Sequence, residues 1–257
     1  MKSAVPTILN IIVALGIAFY GTNARPQALG PSVGSDEARR LPVSEPTLRD
    51  TSYVSCWNEK LSQWRSLFAR SALLTSPNGG YRAYVEVEAT AFEPVDLNTY
   101  TGPLCTNTSK LFVAGPHDEK FKTAYIRQPD SKYEMGNSLR LVAWSPDSTK
   151  LLLELAQWGY ESDAGIDHAL VVYDTSFNAV ITIDADNLRK RLAFAPDCVL
   201  SMVAEGFTSL GEPVVKIGHL RLDETEEGAK QCVRQTGFWS LGDHTKFLKD
   251  GFRPARP

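Results

Sequence analysis

The sequence predicts a mainly β domain, an array of about three units of four short antiparallel strands each, led by one amphipathic helix. Three observations carry that expectation. With 257 residues, 43% apolar and 22% charged, the chain has ordinary globular usage and enough length to bury a core. From Leu73 onward it breaks into short runs rich in β-branched and aromatic residues, separated by Pro, Gly, Asp and Asn, the texture of strands joined by tight turns. Within that region one turn-and-strand plan recurs three times, which points to an internal repeat.

Taken in order, residues 1–24 read as a secretory signal. Lys2 gives a positive start, Ala4 to Tyr20 is apolar apart from Pro6, Thr7, Asn10 and Gly16, and Thr22-Asn23-Ala24 places small residues before a cleavage point. An uncleaved anchor is the rival reading, but the stretch sits at the short limit for a membrane span. Residues 25–50 hold Pro26, Pro31, Pro42 and Pro46 with mixed charge and no apolar period, and are expected to form a disordered linker. Gly30-Pro31-Ser32-Val33-Gly34 matches a hydrolase nucleophile elbow by letter. It lacks the strand before and the helix after that would expose the hydroxyl. The folded domain is expected over 51–257. Its first element is a helix over 56–70, because Trp57, Leu61, Trp64 and Phe68 recur at helical spacing, with Glu59 early and Arg65 and Arg70 late.

Three units then follow, over about 72–130, 139–185 and 190–236. The first runs Leu74-Thr75-Ser76-Pro77-Asn78 into Tyr81–Val87, the second Ala143-Trp144-Ser145-Pro146-Asp147 into Lys150–Leu155, and the third Ala193-Phe194-Ala195-Pro196-Asp197 into Val199–Ala204. Pro sets the turn and Asp or Asn tolerates the bend. Two more strands are expected per unit: Lys110–Gly115 and Lys122–Arg127, Ala169–Asp174 and Ala179–Ile183, Val214–Leu222 and Gln231–Thr236. Four short strands per unit is the build of a propeller blade. Residues 237–257, with Phe238, Trp239, Leu241, Phe247, Leu248 and Phe252, are expected to dock as a C-terminal cap, and the helix as an N-terminal one, over the faces that three blades leave uncovered.

The Trp144-Ser145-Pro146-Asp147 motif, followed by Leu151-Leu152-Leu153 and closed by Leu170-Val171-Val172-Tyr173-Asp174, resembles the repeat of TolB-like, WD-repeat-like β-propellers. The resemblance spans roughly 72–236 and departs in the first unit, where Thr75 replaces the aromatic, and in the third, where Ala195 replaces Ser. It implies a propeller-like array in which the motif is scaffold, the aromatic packing between blades and the turn linking inner strands. It implies no active site. A β-sandwich with chance Ser-Pro-Asp turns is the competing architecture.

The four cysteines lack a C-x-x-C pair and a histidine at zinc spacing, so disulfides are expected over metal. The expected pairing is Cys56–Cys105, tying the helix to the first unit, and Cys198–Cys232, stapling the third. Glu161, Asp163 and Asp167 alternate around Gly165 like a loose calcium loop, but Val172 stands where a bidentate Glu belongs, and a solvated hairpin tip is the simpler reading. His117 belongs to a polar turn triplet and His219 to an alternating strand; His168 and His244 complete the set of four. None of the phosphate-binding, dinucleotide or zinc-protease motifs occurs. Lys plus Arg at 27 against Asp plus Glu at 30 gives net charge −3 and no basic footprint for nucleic acid.

The expectation that follows is an exported, non-enzymatic binding or scaffolding protein of the cell envelope or extracellular space. It is expected to be monomeric, to engage a protein partner, to carry no catalytic residues, and to have no membrane span once the signal is removed. No cofactor is implied beyond that calcium loop. Two other readings stay open: an accessory or degenerate hydrolase-associated propeller, and a calcium- or small-ligand-binding module.

Overall fold

The computed structural model describes residues 39–40, 47–58, 61–93, 103–129, 135–159, 165–192, 199–220, 236–243 and 245–253. In the first sheet, β7 (Arg82–Glu93), β8 (Leu104–Ala114) and β9 (Lys122–Arg127) form an antiparallel meander. Along the other edge of β7 lie three short strands end to end: β1 (Arg39–Arg40), β5 (Leu67–Arg70) and β6 (Leu74–Thr75). β2 (Thr47–Leu48) runs parallel to β5, and β3 (Trp57–Asn58) pairs with β4 (Gln63–Trp64) as a separate hairpin. The second sheet is the meander β10 (Met135–Trp144), β11 (Lys150–Gly159), β12 (Ile166–Asp174) and β13 (Ala179–Ile183). After α1 (Ala185–Leu192) comes the third, β14 (Val199–Phe207), β15 (Pro213–Leu220), β16 (Gly237–Leu241) and β17 (Thr245–Phe247).

Side-chain alternation sets the stacking order. On β7, Ala83, Val85, Val87, Ala89 and Ala91 are buried, while Arg82, Tyr84, Glu88 and Thr90 on the opposite face are half-exposed. That is the pattern of a sheet with one covered face. β11 instead buries Leu151, Leu152, Leu153, Glu154, Leu155 and Ala156 in succession. A continuous buried run means that both faces are covered. The second sheet is indeed the middle layer. Leu151, Leu153 and Leu155 join the core against β7 and β8, and Leu152, Leu170 and Val172 join the core against α1 and the third sheet.

Four expectations need correction. The helix over 56–70 does not form: its described residues are the β3–β4 hairpin and β5. The helical spacing of Trp57 and Trp64 arises from a cross-strand pair, the two rings meeting edge-on at 5.7 Å. Ser62, at φ 48°, turns the chain, and Asn58 accepts the Leu61 N–H through both its backbone and its side-chain oxygen. The span expected as a linker contains β1 and β2, so its C-terminal part lies along the first sheet. The third unit does not begin with a strand at 190, because residues 190–192 close α1. Asp184 caps that helix, accepting the Asn187 N–H at 2.7 Å, while Leu188 and Leu192 reach the core. Finally, residues 237–247 do not lie over a sheet face as a cap. They supply the two outer strands of the third sheet. Beyond them, Phe252 packs near Phe238, with centroids 6.1 Å apart. Most of the strand expected over Gln231–Thr236, and the turn at Ala195-Pro196-Asp197, lie outside the described residues.

Candidate functional site

The repeated turn is built the same way twice. In the second sheet the Ser145 N–H donates to the Lys150 carbonyl (2.8 Å) and the Lys150 N–H donates back to Ser145 Oγ (2.9 Å). The Ser145 hydroxyl donates to Asp147 Oδ1 (2.6 Å), which also accepts the Thr149 N–H (3.1 Å). In the first sheet the Ser76 N–H donates to the Tyr81 carbonyl (2.9 Å), the Tyr81 N–H to Ser76 Oγ (2.9 Å) and the Ser76 hydroxyl to Asn78 Oδ1 (2.8 Å). Gly80 N–H completes the match by donating to Asn78 Oδ1 (2.8 Å). The two turns also touch. Asn78 N–H donates to Ser148 Oγ at 3.1 Å, and Trp144 Nε1–H donates to the Leu74 carbonyl at 3.2 Å while its ring packs 5.7 Å from Tyr81. Trp144, Ser145 and Asp147 thus join strands and adjacent sheets, and Pro146 fixes φ in the turn. Hydrogen bonds from Ser145, and then from Thr149, hold the Asp147 carboxyl below the usual carboxylate range.

A second polar centre lies between the middle and third sheets. Glu154, 7% exposed in the apolar run of β11, accepts from Arg140 Nη2 (2.9 Å), from the Ala204 N–H of β14 (2.9 Å) and from His168 Nδ1 (3.0 Å). Arg140 stands directly across the ladder from Glu154, and His168 sits two positions along on β12. Burial alone pushes the Glu154 pKa up. The bonds from His168 and Ala204, with the Arg140 charge, outweigh that and hold it below its ordinary value. The cluster was missed in the sequence, although a Glu between Leu153 and Leu155 signals a buried carboxylate that must find partners. With the charge balanced inside the interface, it works as a clamp between sheets.

The residues singled out for chemistry are dispersed. Asp167 is an exposed residue of β12, and Glu161 and Asp163 lie outside the described residues. Among the described residues no group of three or more His, Cys, Asp or Glu is placed to hold a metal ion. His117 is exposed in the β8–β9 turn, where Asp118 pairs with Lys122; His219 is a backbone position of β15, and His244 lies outside the described residues. The Cys56–Cys105 disulfide forms, with Cα atoms 6.0 Å apart, between the segment before β3 and the start of β8. Cys198 and Cys232 lie outside the described residues.

A cleft of about 980 Å³ lies between the middle sheet and the hairpin ends of the third. Val172, Ile183, Pro213 and Leu241 form its apolar floor, all buried. Lys150 and Arg191 stand on the side of the middle sheet and α1; Glu212 and Asp243 stand on the third. Asp174 also lines it, but its Oδ1 already accepts the N–H groups of Ser176 and Phe177. No helix among the described residues is long and apolar enough to cross a membrane. Comparison of the chain with family models, with curated proteins and with solved structures finds no match in any of the three.

Proposed function

We propose that the protein is an exported, non-enzymatic, propeller-like module that binds another protein in the cell envelope or extracellular space. The observation that carries this reading is the pair of interlocked Ser-Pro turns. Two consecutive units repeat one hydrogen-bond pattern, and their most distinctive side chains join one sheet to the next. A chain whose repeated motif is committed to scaffolding offers edges, hairpin ends and clefts as its working surface. The Cys56–Cys105 bridge supports an oxidising compartment. Cross-linking the full-length protein in intact cells, followed by fractionation and peptide mapping, tests it. The expected result is a discrete partner protein joined to the chain in the envelope or medium. Recovery of the chain with reduced cysteines in the cytoplasm, or in the envelope without any joined partner, would overturn it.

A further inference from the structure

Each of the three meanders ends in an outer strand with one neighbour among the described residues: β9, β13 and β17. An open strand edge presents unpaired N–H and C=O groups, and proteins usually blunt it with charge, shortness or a bulge. β9 begins with Lys122, ends with Arg127 and carries a register shift against β8. β17 is three residues long and contains Lys246. β13, Ala179-Val180-Ile181-Thr182-Ile183, has no charge, no proline and no register shift against β12. It is the one outer edge of the three left unguarded.

That edge borders the cleft. Ile181 and Ile183 both line it, and its lips carry Ile181 at 60% exposure and Leu210 at 85%. Exposed apolar lips over a buried apolar floor give side chains somewhere to go. The charges around them differ between the walls: Lys150 and Arg191 stand on one, beside an Asp174 whose Oδ1 is held by its own turn, and Glu212 and Asp243 stand on the other. None of Lys150, Arg191, Glu212 and Asp243 takes part in an ion pair among the described residues.

We infer that β13 and the adjoining cleft receive an extended peptide segment of a partner protein by strand addition. An added strand would complete the β13 backbone ladder and turn every second side chain into the cleft. The chemistry selects a segment with apolar residues at alternate positions, basic residues toward Glu212 and Asp243, and acidic ones toward Lys150 and Arg191. The inference rests on the binding-module reading and gives it a site and a class of ligand.

The test pans a phage-displayed library of random linear peptides against the full chain. Enriched peptides are then remade with a fluorescent label. Enrichment of alternating apolar sequences without central proline, with protection of the β13 amides from hydrogen exchange, is expected. Ile181→Lys and Leu210→Glu, both at exposed positions, should each weaken binding by about tenfold or more, while Ile126→Lys on β9 should not. Unchanged thermal melts would show that both variants fold. Failure to enrich peptides, or enriched peptides indifferent to both substitutions, overturns the inference. So does a concentration-dependent dimer that Ile181→Lys abolishes, since a second copy would then hold the edge. If a cellular partner cross-links at another surface and ignores both substitutions, this site falls while the binding-module reading stands.

Discussion

Ser148 shows how a single position serves both a turn and the neighbouring sheet. It occupies φ 63°, a conformation that the matching turn gives to Gly79 at φ 71°. The left-handed region disfavours side chains, yet Ser148 is 1% exposed and its Oγ accepts the Asn78 N–H. Ser148→Ala keeps the strained backbone and orphans that donor, so it should cost about 1–3 kcal/mol. Ser148→Gly relieves the backbone and should cost less. Equal losses in chemical denaturation would mean that the Oγ bond alone matters. Glu154 presents the opposite case, a charge held inside. Its pKa is lower folded than unfolded, so its contribution is fully present above the unfolded value, about 4.3. It is lost as pH falls through the folded value. Glu154→Gln should destabilise by about 1–3 kcal/mol at neutral pH, Arg140 being partly solvated. The gap from wild type should shrink below about pH 4. Parallel stability–pH curves from pH 7 to pH 3 would show that the charge carries none of the stabilisation.

Among the elements, the clearest contrast is between strands legible in the sequence and the false helix before them. Lys122–Arg127 and Ala179–Ile183 are expected and found at the same bounds, because turn residues flank each run. The stretch from Trp57 to Phe68 carries a helical spacing, but strand pairing decides its state. Phe68, Ala69 and Arg70 pair with Glu88, Val87 and Glu86 of β7, and Cys56 is tied to Cys105. None of those partners is local, so periodicity could not reveal them. α1 escapes the reading for the converse reason: its Asp184 cap and Leu188–Leu192 pair are local signals, but they fall at the junction of the second and third expected units, where no element is assigned. The disulfide closes a separation of 49 residues. In the loop-entropy picture, replacing Cys56 and Cys105 by Ser should lower stability by about 4 kcal/mol. A fall in the denaturation midpoint of the double variant measures it; an unchanged midpoint would mean that the β5–β7 pairing alone fixes the segment.

On the scale of the molecule, the middle sheet is the keystone, covered by the first sheet on one face and by α1 and the third sheet on the other. The first sheet's outer face is covered by its own side chains: Arg82, Tyr84, Glu86 and Glu88 share it on β7, Arg70 bonds to Glu86, and Tyr84 stacks on Phe112 with centroids 4.9 Å apart. The third sheet depends on its last strands. Deleting 237–257 would remove β16 and β17, strip Trp239 and Leu241 from the core and open the edge of β15. Aggregation or loss of cooperative unfolding is expected, read by light scattering and thermal melting. A truncated chain that stays monomeric and equally stable would show that those strands are dispensable.

What the sequence determined by itself is local: where strands turn, and where the runs Lys122–Arg127 and Ala179–Ile183 begin and end. Turn chemistry and side-chain period act over a few residues and are written in order along the chain. Only the tertiary structure decided that Trp57–Asn58, Gln63–Trp64 and Leu67–Arg70 pair as strands, that Gly237–Leu241 and Thr245–Phe247 join the third sheet, and that Glu154 meets Arg140, His168 and Ala204. Those outcomes depend on partners distant in sequence, whose pairing and desolvation energies exceed the local propensity of about a kcal/mol or less per residue.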